Sequence, residues 1–516
     1  MNTMIPFSVS TLMPFLPMLI ISLTVMVLMI AIALRRSNFM AATLSVVGLN
    51  TALLVLILQF MNNQAMTQHK SAVVAFLTPS AGLLSSLFIV DGFAQVNMLI
   101  ILVSALACFT LAYAYIEGYK DHKEELYVLM LIATLGAMLM VCSDHFASFF
   151  ISLELLSVPM YGMLAYTYIR GQSLEAGLKY LVLSATASAT MLMGMALVYA
   201  YTGTLAFHSI TEIIFAQLPH GIATPLIVVG SALIVFGVAF KLSAVPFHTW
   251  TPDVYQGAPA PVATFLASVG KVAMLALGLR FLITTGVLAI PAIHTLITVI
   301  AVLSMIVGNL LALRQTNIKR MLGYSSIGHL GYVLAIVATT RLGAGVLADT
   351  FTTLYMAVYA FTTIGAFGAV TLMSSPFKYG KGENTGEADD ISHYRGLFWH
   401  RPVLTAVLTV MMLSLAGIPL TAGFISKFFA VLATVRAGSW LLAAAIILGS
   451  AISLYYYLHF MLNLFKRPQN NQPHDAVNHW GFQAGGIMVI LVSLSVLAFG
   501  IFPDYLIALT SYAKIQ

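Results

Sequence analysis

The sequence predicts an all-α polytopic membrane protein with about fourteen transmembrane helices. Three observations carry that expectation. Only 8% of the 516 residues are charged, and 60% are hydrophobic. The mean hydropathy is +0.96. Apolar runs of about 20 residues, long enough to cross a bilayer, recur along nearly the whole chain. Lipid offers the backbone no water to bond, so such runs form helices, and the short alternating segments of a β-barrel are absent from the sequence.

The spans fall at roughly 10–34, 39–61, 86–116, 125–142, 145–169, 173–201, 222–248, 259–284, 288–313, 317–340, 346–374, 401–435, 440–465 and 480–512. The first has no basic residue before it and Arg35-Arg36 after it. A secretory leader has the reverse order, so an uncleaved helix is expected. The seventh and twelfth spans echo one another: Leu242-Ser-Ala-Val-Pro246 and Leu415-Ala-Gly-Ile-Pro419. Each proline removes a backbone donor and clashes one turn back, which breaks or kinks the helix. Five spans separate the copies, and an odd offset places them in opposite orientations, the pattern of an inverted repeat. An ordinary proline kink remains the alternative for each. The longest hydrophilic stretch, about Ser375–Arg401, mixes signs in Lys378-Tyr-Gly-Lys381 and Glu387-Ala-Asp389-Asp390. It reads as a solvated cytoplasmic loop, with a docking surface for a partner as the alternative.

Basic residues crowd one set of alternate loops, among them Arg35, Arg36, Lys120, Lys123, Arg170, Arg314, Lys319, Arg320, Lys378, Lys381, Arg395, Arg401, Lys466 and Arg467. The other set holds only Lys70, Arg341, Arg436 and Lys514. The basic side is expected in the cytoplasm, or its equivalent, and both termini on the opposite side. The formal charge of +6 reflects this topology and does not suggest nucleic acid. Cys108 and Cys142 show no paired Cys or Cys/His spacing, and no Gly-rich nucleotide loop occurs in a strand–helix setting. No metal and no bound cofactor is expected in this chain.

The informative residues are ionisable groups inside the spans: Glu154, Lys179, Lys241, Lys271 and Lys427. Each costs about 2.5–3.5 kcal/mol at a helix centre on insertion scales. Such groups make sense if protons or cations pass between them. Glu154 sits near mid-span, where burial and a nearby lysine act on its proton in opposite senses; a proton switch and a fixed ion pair both fit. Lys241 precedes the first break, and either exchanges a proton or snorkels to the interface. Lys271 lies too deep in its span to snorkel easily. Lys179 lies about seven residues into its helix, so snorkelling competes with modulation of Glu154. Lys427 follows the second break by eight residues. His329, half-way into the tenth span, is either a relay or a histidine satisfied by a helix neighbour. His248 and His459 are weaker signals. Adjacent spans usually pack together, so these groups can form one polar line through the middle of the membrane.

At these residues the sequence resembles the antiporter-like subunits of respiratory complex I. The resemblance is carried by Phe240-Lys-Leu-Ser-Ala-Val-Pro-Phe-His-Thr-Trp-Thr-Pro-Asp-Val-Tyr-Gln-Gly-Ala-Pro-Ala-Pro-Val262. It continues in Thr316-Asn-Ile-Lys-Arg-Met-Leu-Gly-Tyr-Ser-Ser-Ile-Gly-His-Leu-Gly-Tyr332, Arg395-Gly-Leu-Phe-Trp-His-Arg-Pro402 and Met411-Met-Leu-Ser-Leu-Ala-Gly-Ile-Pro419. It covers most of residues 90–510. Within the family, Lys427 stands where the M type carries glutamate, and the long lateral helix of the L type is lacking, which points to the N-type group.

The resemblance implies two inverted five-helix repeats, roughly 124–285 and 286–466, each with a broken helix, preceded by three helices in 1–123 and followed by one in 467–516. It implies that Glu154 is the key glutamate, Lys179 its neighbouring lysine, Lys241 the glutamate's partner, Lys271 the central lysine, His329 a connecting histidine and Lys427 the terminal lysine. The implied activity is proton translocation coupled to quinone reduction, with NADH, flavin, iron–sulfur clusters and quinone on other subunits. The implied partners are an M-type antiporter-like subunit, the small K-, J- and A-type subunits and membrane lipids. A multisubunit cation/proton antiporter subunit and a purely structural membrane subunit are the other readings.

Overall fold

The computed structural model describes residues 12–68, 87–117, 119, 122–217, 224–340, 345–374, 387–468, 476 and 479–515. Lys70, Lys120, Arg341, Lys378 and Lys381 of the loop-charge pattern lie outside the described residues. Among the described residues the regular elements are helices, and three isolated bridges pin loops: Phe88 to Ser143, His145 to Ala206 and Asn317 to Asp390.

Thirteen helices among the described residues are long and apolar enough to cross a membrane. They are Met13–Leu34, Asn38–Met61, Gly92–Ile116, Glu124–Cys142, Phe146–Leu164, Gly171–Thr202, Pro225–Leu242, Ala260–Thr284, Pro291–Ala312, Ile318–Thr339, Ala348–Met373, Trp440–Phe465 and Ala484–Ile501. The remaining expected span is a broken pair, Pro402–Ala416 and Ala422–Arg436.

Local chemistry explains many ends. Asp91 caps Gly92–Ile116 by accepting from the Ala94 amide at 2.8 Å, and Asn317 caps Ile318–Thr339 through the Arg320 amide at 3.0 Å. Pro225, Pro291 and Pro402 open their helices, where a missing N–H costs nothing. The last span is shorter than its apolar run: the helix stops at Ile501 before Pro503, and a separate short helix, Asp504–Ser511, follows.

Both proline echoes mark real breaks. Pro225–Leu242 ends four residues before Pro246, with Ser243 in the left-handed region at φ 65°. Pro402–Ala416 ends at Gly417, φ 81°, two residues before Pro419. The first break opens a loop and a short helix, Trp250–Gly257, before the next span starts at Ala260. That span carries one π-helical turn, Leu266–Gly270, immediately before Lys271.

The helices form two zones. Ala260–Thr284, Ile318–Thr339 and Ala348–Met373 are buried over 100%, 94% and 94% of their most apolar stretches, so they form the centre. Peripheral helices show large apolar side chains outward, among them Ile30, Leu183, Leu448 and Leu494. Lipid imposes no hydrophobic penalty on that surface.

Among the described residues of the hydrophilic stretch, Glu387 departs from the solvated-loop expectation while Asp390 is exposed. The Glu387 side chain is fully buried, accepting from Arg170 Nη1 at 2.6 Å, from Lys319 and Tyr115, and from the Ala260 amide at 3.3 Å. Lys319 also reaches the Ala258 carbonyl at 3.1 Å and Asp389 at 3.2 Å. Mixed charge reads as solvated in sequence because the opposing cations come from distant segments. A second buried pair joins Arg280 to both Asp91 oxygens at 2.7 and 2.9 Å, with the Val141 carbonyl completing the guanidinium's partners.

Candidate functional site

The helix Phe146–Leu164 places Glu154 and Ser157 one turn apart on one face. Facing it, Gly171–Thr202 supplies Ser184 and Ser188, also one turn apart. Ser188 donates to Glu154 Oε1 at 2.7 Å. Lys241 comes from the last turn before the first break and is 7% exposed. Its ammonium donates to Ser157 Oγ at 2.8 Å and Ser184 Oγ at 2.5 Å, and lies 5.7 Å from the centre of the Tyr180 ring. Glu154 and Lys241 therefore make no direct ion pair: each bonds serine hydroxyls of these two helices instead.

Lys271 is buried beside the first break. It donates to the Lys241 carbonyl at 3.0 Å and to Ser243 Oγ at 2.5 Å, and lies 5.0 Å from the Trp250 ring centre. Trp250 Nε1 donates to the Phe240 carbonyl at 3.0 Å, and Thr251 donates to Ser243 at 2.5 Å. The break leaves last-turn carbonyls without helical partners, and a cation is favoured at that negative end of the helix dipole. Lys427 repeats the arrangement at the second break, donating to the Ala416 carbonyl at 2.9 Å beneath the Tyr332 ring, 5.4 Å from its centre. A side chain at Gly417 would meet Lys427 Cδ at 2.7 Å, so glycine serves both the turn and the lysine.

His329 is 6% exposed and held by tyrosines rather than by a charged group. Nδ1 bonds Tyr355 OH at 2.8 Å, and Nε2 lies 3.4 Å from Tyr457 OH, which in turn bonds Ser325. The Tyr332, Tyr355 and Tyr359 rings surround the imidazole with centres 5.6–6.1 Å away. Tyr359 donates to Ser326 at 2.7 Å.

Lys179 stands apart. Its partners are Glu175 at 2.7 Å and Asp253 at 3.2 Å, and its side chain is 42% exposed. It snorkels out of the Glu154 cluster into a half-open polar cleft of about 240 Å³, lined also by Gln172, Gln256 and Arg320. Arg320 pairs with Asp253 at 2.6 Å. Partial burial pushes the Asp253 carboxyl up, but its hydrogen bonds from Arg320 and Lys179 outweigh this and hold it below the usual carboxylate range. His459 is surface-exposed beside Tyr455, away from the buried line.

The structure thus brings Lys241, Lys271 and the first break together, and His329 and Lys427 around the Tyr332 ring. Sequence reasoning missed the hydroxyls: Ser157, Ser184, Ser188, Ser243 and the tyrosines around His329. Their signal was helical spacing to the charged residues, as in Glu154/Ser157 and Tyr355/Tyr359, but serine and tyrosine are too common in membrane helices for spacing alone to select them.

Residues 143–453 match the family described as "NADH:quinone oxidoreductase/Mrp antiporter, TM". The chain belongs to that family. It is 56% identical over 506 residues to the NADH-quinone oxidoreductase subunit N of Psychrobacter arcticus, covering 98% of both chains. The protein of the same name from Acinetobacter baumannii is 52% identical over 509 residues, 98% of this chain and 97% of that one. Among solved structures, a chain of respiratory complex I from Thermus thermophilus with bound aureothin superposes at TM-score 0.76 and 30% identity, over 95% of this chain and 98% of that chain. A chain of the Mrp complex from a Dietzia species gives 0.78 at 18% identity, over 98% and 97% of the two chains, a likeness of fold. The family's membrane-antiporter fold is the setting in which the buried line of lysines stands.

Proposed function

We propose that this chain is a proton-translocating, non-redox membrane-arm subunit of an NADH–quinone oxidoreductase in the bacterial inner membrane. The family match and the 52–56% identity to proteins named subunit N support the assignment to that complex. One observation carries the transfer role: the Lys271 ammonium bonds the backbone carbonyl of Lys241, so two buried lysines meet at one helix break. NADH, flavin, iron–sulfur clusters and quinone belong to other subunits in this reading. An M-type antiporter-like subunit, the small K-, J- and A-type subunits and lipids are the neighbours. Both termini face the periplasm. Residues 124–285 and 286–466 act as two inverted half-channels, each built on one broken helix, flanked by 1–123 and 467–516.

Protons enter at the polar cleft of Lys179, Asp253 and Arg320. Quinone reduction elsewhere shifts Glu154 relative to Lys241. The Lys241 proton then passes toward Lys271, through His329 to Lys427, and out. Lys179 biases Glu154 across its helix rather than by contact. Moving one charge against 100 mV costs about 2.3 kcal/mol. A Glu–Lys pair at about 4 Å is coupled by roughly 4 kcal/mol at an effective dielectric near 20. With no direct ion pair the coupling is weaker than that and comparable with the membrane term, which suits a switch better than a locked pair.

The test is Lys241→Ala in native membranes, with NADH-driven quinone reduction and proton uptake followed together. The expected result is an assembled complex with lowered pumping. Full pumping by an assembled complex overturns the assignment. Na⁺- or K⁺-dependent exchange without quinone would instead support a cation/proton antiporter, the second function within the family's description.

A further inference from the structure

Among the described residues no hydrogen bond joins the Lys271 cluster to the His329 cluster, and the helix that carries Thr251 and Tyr255 packs against the His329 helix. Tyr255 lies on the short helix Trp250–Gly257, fully buried, yet its hydroxyl makes no close hydrogen bond, only a loose approach to Ser326. A buried phenol without a close partner is unusual, because leaving a polar group unsatisfied costs about 1–3 kcal/mol. Its ring is fixed edge-on against Phe367, with centres 5.7 Å apart. On one side, Thr251 precedes it by one turn on the same face and donates to Ser243, the hydroxyl that also receives Lys271. On the other side the Tyr255 hydroxyl faces Ser326, which accepts from Tyr359, a ring of the His329 cage. The neighbouring helix adds a buried hydroxyl without a partner, Thr352, on the face that also carries Tyr355 and Tyr359.

We propose that Tyr255 is the relay residue that joins the Lys271 cluster to the His329 cluster. Resting on the function proposed above, it acts with water on either side. A proton from the Lys271 side, delivered through water, forms a new bond to the phenol oxygen as the existing O–H proton leaves toward the Ser326–Tyr359 side. The phenol is neutral before and after, so no charge is stored on it. Thr352 helps hold the water on the far side. With no close protein bond held at its hydroxyl, the phenol can bond water on either side, which the relay requires.

The experiment compares Tyr255→Phe with Lys271→Met in the full complex, reconstituted in proteoliposomes, with proton uptake per quinone reduced as the readout. Tyr255→Phe keeps the ring against Phe367 and removes one oxygen that makes no close hydrogen bond in the protein. It should therefore assemble normally, retain quinone reduction and lose the same share of proton uptake as Lys271→Met. If Lys271→Met lowers uptake and Tyr255→Phe does not, the relay is overturned and the proposed function stands. If neither lowers it, the function itself falls. Failure of Tyr255→Phe to assemble also overturns the relay, since the hydroxyl would then be structural.

Discussion

At the scale of single residues, the two helix breaks show how a membrane helix holds a charge it would otherwise exclude. A proline stops the ladder and exposes carbonyls, and a lysine ammonium takes one of them. Gly417 makes this concrete. Its φ of 81° costs an L-residue about 1–2 kcal/mol, and any Cβ there presses on the Lys427 side chain. Gly417→Ala should lower the thermal stability of the purified complex modestly and shift Lys427 from the Ala416 carbonyl, reducing proton uptake while quinone reduction persists. Unchanged melting and unchanged uptake together would show that the turn tolerates a side chain and that Lys427 does not depend on it.

At the scale of elements, the apolar runs made the spans legible, and the two prolines made both breaks legible to within a few residues. Pairing between elements was not legible. The Lys179 position in its helix allowed contact with Glu154 or escape to the cleft, and only packing decides which. Asp91 and Arg280 look unremarkable at the ends of their spans, yet they join Gly92–Ile116 to the Lys271 helix by a fully buried bidentate pair. Removing one partner of such a pair costs about 3–5 kcal/mol, because the other charge stays buried. Arg280→Leu should therefore reduce assembly sharply. Adding Asp91→Asn, which keeps a capping oxygen for the Ala94 amide, should recover much of the loss. If the double variant assembles no better than the single one, the cost lies in packing of the guanidinium rather than in the orphaned carboxylate.

At the scale of the whole molecule, the Glu387 cluster ties together segments far apart in the chain. It joins Tyr115 at one helix end, Arg170 before the serine-bearing helix, Ala258 and Ala260 at the start of the Lys271 span, and Lys319 at the start of the His329 helix. One carboxylate thus ties together the starts of the helices that carry Ser184, Lys271 and His329. Burial pushes the Glu387 carboxyl up, but Lys319 and Arg170 together outweigh it and hold the group below its ordinary value. A depressed folded value means that this stabilisation is complete above the ordinary carboxylate range and is lost as pH falls through the lowered value. Glu387→Gln should accordingly destabilise the complex strongly at neutral pH, since Lys319 and Arg170 lose their shared counter-charge. It should also flatten the acid side of the melting-temperature profile, because the titrating group is gone. Thermal melts of both forms across pH 4–8 check this together. A variant that melts with the native protein at neutral pH would mean that Asp389, 3.2 Å from Lys319, suffices to hold that end of the bundle. Equal melting at neutral pH with unequal pumping would instead make the cluster a device for aligning the transfer line rather than for stability.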